Sequence, residues 1–109
     1  MPHLVYTSAS DWLGAVERRV SDPEIADALR SRDLPAGTVL AVARAEAENA
    51  GPTGRVTLDA EKLARAAGVT PRDAKRARIA LITVGAQVFV AMPGSTGRPV
   101  RQLQMPHRP

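Results

Sequence analysis

Cationic side chains crowd the C-terminal half of this chain, and their spacing is what first suggests chemistry. Lys62, Arg65, Arg72, Lys75, Arg76, Arg78, Arg98 and Arg101 all lie between residues 62 and 101. Residues 62–109 carry nine Lys and Arg against one acid, Asp73, a net of +8. Residues 1–61 carry six Arg against ten acids, a net of −4. Guanidinium and ammonium groups at that density, with one carboxylate among them, attract a polyanion and release its counterions on contact. The plainer use of the same residues is to solubilise a small surface.

Other chemistries are excluded residue by residue. The chain has no cysteine, which removes disulfides, thiolate nucleophiles and cysteine zinc sites. His3 and His107 stand at opposite ends of the sequence, with no ligand spacing for a metal. Gly51-Pro52-Thr53-Gly54-Arg55 lacks the Lys-Ser/Thr ending of a phosphate loop. Glu46 and Glu48, two apart, do not face one another on a helix. Trp12, Tyr6 and Phe89 are too dispersed for a base-stacking platform, and Trp12 and Phe89 are assigned to the core. These absences argue against an enzyme and imply no cofactor, no metal and no small-molecule ligand.

The 109 residues, 44% apolar and 24% charged, suit one compact domain. No apolar run is long enough to span a bilayer, and Met1–Tyr6 lacks the basic and apolar regions of a secretory signal. A cytoplasmic, nucleoid-associated protein is the expectation.

The elements that must position the cations follow from periodicity and punctuation. Ser10 is an N-cap type residue, and Trp12, Leu13, Val16 and Val20 share one helical face after it. Ser21-Asp22-Pro23-Glu24 restarts the chain into a short helix burying Ile25, Ala28 and Leu29. A third helix, 36–49, buries Val39, Leu40, Ala43 and Ala47 and stops at Gly51-Pro52. Gly54–Thr57 reads as a very short strand, and Thr57 or Asp59 caps a helix running to Ala67. Thr70-Pro71-Arg72-Asp73 combines an N-cap, proline in the first turn and an acid at the positive helix end, predicting a helix to about Val84. Gln87–Met92 and Val100–Met105 form two strands joined by the turn Pro93–Pro99. The expected class is α+β, mostly α, divided into an N-terminal helical extension (1–34), a main domain (35–105) and a flexible tail (106–109).

Within that order, Leu63-Ala64-Arg65-Ala66-Ala67-Gly68-Val69-Thr70 sets a small residue four positions before a glycine. A following helix crosses closely over Ala64, Gly68 supplies the positive φ of the turn, Val69 plugs the corner and Thr70 caps. The segment resembles the helix-turn-helix signature, and with the hairpin residues 36–105 resemble the winged helix-turn-helix superfamily. The likeness is to the small domains of MarR- and GntR-type bacterial regulators and of actinobacterial plasmid or phage proteins. Ala77, Leu81 and Gly85 fit the family pattern. Ala74 stands where a larger apolar residue is usual, Arg78 where Leu is usual, and Ile79, Ile82 and Val84 where polar residues are common.

The resemblance implies sequence-specific binding of double-stranded DNA by a small transcriptional regulator. The implied DNA-binding residues are Lys62, Arg65, Thr70, Arg72, Lys75, Arg76, Arg98 and Arg101. Arg72, Lys75 and Arg76 lie on the outer face of the helix after Thr70, Lys62 and Arg65 serve as phosphate clamps, and Arg98 and Arg101 belong to the wing. Asp73 accepts from cytosine or, more simply, complements the helix N-terminus. Arg78 meets a phosphate or only solvent. The alternative for the wing is that Val88, Val90 and Leu103 merely close the core. A role in plasmid or phage replication, partition or excision uses the same contacts, and a protein–protein assembly module is the rival from another class. Ile79, Ile82 and Val84 are expected to meet residues 8–34, within one chain or across a two-fold homodimer.

Overall fold

Four short polar side chains decide where helices begin. Ser8 Oγ accepts from the Asp11 N–H (3.1 Å), Asp22 Oδ1 from Glu24 (3.0 Å), Asp59 Oδ1 from Lys62 (2.8 Å) and Thr70 Oγ1 from Asp73 (3.1 Å). Each satisfies an amide that the first helical turn leaves without a partner. In the computed structural model, which describes residues 6–90 and 100–106, these caps open α1 (Ala9–Val20), α2 (Pro23–Ser31), α4 (Ala60–Ala67) and α5 (Pro71–Thr83). The first helix is therefore capped two residues before the expected Ser10. Helix α3 (Ala36–Asn49) has the bounds read from sequence, although Pro35 at its N-cap offers no side-chain bond.

The strands are β1 (Arg55–Val56), β2 (Gln87–Val90) and β3 (Val100–Leu103). They form one antiparallel sheet of order β1-β3-β2, with Arg55 opposite Gln102 and Gln87 opposite Leu103. The protein is thus α+β and mostly helical, five helices with a small three-stranded sheet among the described residues. The expected turn Pro93–Pro99 and the residues beyond Pro106 lie outside the described residues. No described helix is long and apolar enough to cross a membrane.

One hydrophobic cluster joins everything. Trp12, Val16 and Val20 of α1 and Leu29 and Leu34 pack with Val39 and Val42 of α3, Leu63 of α4, Leu81 of α5 and Leu103 of β3. Residue 34 is therefore not a boundary of packing, and α1 is as much a part of the core as α3. Phe89, assigned to the core from sequence, is 61% exposed instead.

Close packing of α4 on α5 depends on small side chains. Ala64, Ala74 and Ala77 are all buried, and the turn between the helices passes through Gly68 at φ 74°, where a side chain would be strained. The Val69 N–H donates to the Ala64 carbonyl (3.0 Å) and closes the turn. A second glycine is constrained from the side: at Gly54 (φ 85°) a Cβ would stand 2.6 Å from the Tyr6 ring, so Tyr6 lies directly on the backbone leading into β1.

The fully buried Trp12 ties the first helix to the sheet. Its Nε1–H is shared between the carbonyls of Ala86 and Gln104, each at 3.0 Å, at the start of β2 and just past the end of β3. Trp12→Phe keeps most of the apolar volume and leaves both carbonyls without that donor. Urea unfolding followed by circular dichroism should show a loss of about 1–3 kcal/mol; a loss below about 0.5 kcal/mol would mean that packing alone seats the ring.

Candidate nucleic-acid interface

The cations identified in the sequence separate into two sets. Lys62 and Arg65 are exposed on α4, and Arg72 and Lys75 are exposed on α5. Arg72 and Lys75 are three residues apart on one face, opposite the buried stripe Ala74, Ala77 and Leu81. Neither makes a hydrogen bond or ion pair with another described residue. Thr70 is exposed, and its hydroxyl is engaged in capping, so it acts first by fixing the start of α5. Asp73 in that first turn complements the helix dipole and lies 3.7 Å from Arg76 Nη1.

Arg76 departs from the outward placement read from sequence. Its guanidinium reaches across to donate to the Arg32 carbonyl beyond α2, and its side chain is half-buried. Arg76 therefore braces α5 against α2. Arg98 lies outside the described residues.

Arg101 requires a correction. It is 3% exposed, and its guanidinium is spent inside the protein. Nη1 donates to Glu46 Oε1 (2.5 Å) and Gln87 Oε1 (3.2 Å), and Nη2 to the Leu58 carbonyl (3.0 Å). A contact to DNA would have to break all three, so Arg101 is a structural residue of the hairpin. Arg78, read as a phosphate contact or a solvated charge, is also turned inward. Its Nη2 donates to the same Leu58 carbonyl and its Nε lies 3.6 Å from Glu46 Oε1. Burial, and then the neighbouring Arg101 cation, push the Arg78 guanidinium below its usual pKa, while Glu46 pulls it back.

Glu46 and Gln87, the organisers of this cluster, were not recognised in the sequence. Glu46 is fully buried in α3, and Gln87 Nε2 donates to its second carboxylate oxygen. The signal was present in two places. Glu46 falls between Ala43 and Ala47 on the stripe assigned to the core, and Arg78 stands where the family pattern wants Leu. An acid on one buried stripe and a base on another are a pair in waiting.

Of the apolar positions that the family pattern left unexplained, Ile79 and Val84 line a groove between α5 and α2, and Ile82 is not among its lining residues. Ile79, Ala80 and Val84 face Ile25, Ala28 and Leu29 of α2 across an open groove of about 220 Å³, with Arg32 and Arg76 among its lining residues. Residues 8–34 and the C-terminal half of α5 thus meet within one chain. The closure is incomplete, because Ile79 remains 57% exposed; Ile82, outside the groove, is 43% exposed.

Compared with protein-family models, curated proteins and solved structures, the chain matches none.

The cluster makes a stability prediction. Glu46→Leu strands two buried cations and should cost about 3–5 kcal/mol, whereas adding Arg78→Leu and Arg101→Leu should recover most of the loss. Chemical denaturation of the single and triple variants measures both. A single variant within about 1 kcal/mol of wild type would show that the carboxylate does not hold the cluster together.

Proposed function

We propose that this chain binds double-stranded DNA sequence-specifically through a winged helix-turn-helix domain and acts as a small transcriptional regulator. In this reading α4 and α5 are the helix-turn-helix, α5 is the recognition helix, and β2 and β3 are the strands of the wing. The observation that carries it is the face of α5 opposite the core, where Arg72 and Lys75 stand exposed, without a partner among the described residues, in the first turns of a capped helix. A helix so equipped fits the major groove, where arginine bonds guanine O6 and N7 with both arms of its fork. Lys62 and Arg65, exposed on the preceding helix, supply phosphate contacts. Five helices with a small antiparallel sheet, its hairpin following α5, are compatible with such a fold.

The groove between α2 and α5 favours a second reading, a protein–protein assembly module that seats a partner on Ile79 and Ile25. Salt separates the two. Anisotropy of a labelled random duplex should show affinity falling steeply between 50 and 200 mM salt, by about tenfold or more per three phosphate contacts released. An assembly module binds little at either concentration.

Selection from random duplexes should then yield a preferred site. Against it, Arg72→Ala should lose about 1–3 kcal/mol and relax base preference at one position, with a much smaller loss on random duplex. Equal losses on both would make Arg72 a phosphate contact. No loss on either would contradict the docking of α5.

A further inference from the structure

An isolated exposed isoleucine says nothing about function, since much of any protein surface is apolar. Ile79 is not isolated in this sense. It lies seven residues after Arg72 and four after Lys75, so the three occupy one face of α5, two turns long, opposite Ala74 and Leu81. Both neighbours are cations without a protein partner among the described residues, and Ile79 at 57% exposure is presented between their rows. Whatever covers this face must offer negative charge toward the helix N-terminus and an apolar group about one turn further on.

The major groove offers that combination. Phosphates and guanine acceptors answer the cations, and the C5-methyl group of thymine is the one apolar substituent on its floor. We infer that Ile79 is a specificity-determining residue that reads a thymine methyl, set beside the guanine or phosphate contacts of Arg72 and Lys75. This rests on the DNA-binding reading above and extends it to a base that no cation selects. It also gives a use to an apolar side chain where the family pattern commonly has a polar one. A second copy seated on the groove would cover Ile79 as well. Only the thymine contact makes binding depend on the C5-methyl group, and that dependence separates the two.

Deoxyuridine differs from thymidine only in lacking that methyl, so it tests the contact without altering charge or pairing. On the duplex selected by the wild-type chain, each thymine is replaced singly by deoxyuridine, and affinities are measured for wild type, Ile79→Val and Ile79→Ala. One position should cost wild type about fourfold, the worth of one buried methyl. Ile79→Ala should bind the thymine duplex about that much less tightly and lose nothing more on the uracil duplex, with Ile79→Val between them. Ile79 lies outside the core, so folding is preserved, and circular dichroism verifies it. Indifference of wild type to every substitution, or equal thymine dependence in Ile79→Ala, overturns the assignment while leaving DNA binding intact. A chain that binds no duplex overturns both readings, and a dimer that Ile79→Ala dissociates without any methyl dependence assigns the residue to self-association instead.

Discussion

A buried carboxyl group is costly unless cations and donors come to it, and Glu46 brings four elements together on that account. It sits on α3, the helix around which α1, α4 and α5 all pack. Arg78 arrives from α5, Arg101 from β3 and Gln87 from β2, and both arginines also bond the Leu58 carbonyl in the turn between β1 and α4. Planar guanidinium groups accept little distortion at such contacts, so the cluster fixes directions as well as distances. The position of α5 relative to the hairpin is set here. An apolar core would hold the same elements together with less discrimination between one rotation of α5 and another.

The same constraint sorts the positive charge. Counted from sequence, the basic half carries every cation equally. Once Glu46 has engaged Arg78 and Arg101, and Arg76 has turned to the Arg32 carbonyl, the cations left to a partner on the described surface of α4 and α5 are Lys62, Arg65, Arg72 and Lys75. They line the two helices on either side of the Gly68 turn. Beside Gln87, Trp12 spans the residue before β2 and the residue after β3, so the hairpin is held twice, by a buried charge cluster and by an indole N–H. The surface proposed to meet DNA is therefore carried on elements whose backbones are fixed from within.

How much of this was legible in the sequence depends on whether the determinant was local. Helix starts at Asp22, Asp59 and Thr70 were readable because a cap acts within three residues of itself. The Ala64-to-Gly68 spacing was readable for the same reason, and the φ of 74° at Gly68 follows from it. Ser8 was passed over for Ser10 because two candidate caps lie side by side and periodicity does not choose between them. Arg101 and Arg78 were misplaced because their partner lies on another helix, and a basic residue looks the same in sequence whether it meets solvent or a buried acid. Phe89 was misassigned because alternation does not say where along a strand burial ends: Gln87, on the same face of β2, is buried against Glu46, and Phe89 two residues on is exposed. The extension 1–34 was set apart because the resembled fold does not require its helices; in the structure Trp12 and Leu34 pack into one cluster with α3, α5 and the sheet.

The central claim is this division of the arginines into structural and contacting sets, and side-chain NMR addresses it directly. The Nε–Hε signals of the arginines are followed as the selected duplex is added to labelled protein. The account predicts shifts or slowed exchange at Arg65 and Arg72, with Arg78 and Arg101 unmoved because their guanidinium groups are held inside the protein through their Nη atoms, Arg78 by the Leu58 carbonyl and Arg101 by Glu46, Gln87 and the same carbonyl. Perturbation of Arg78 and Arg101 with Arg65 and Arg72 unchanged would contradict it.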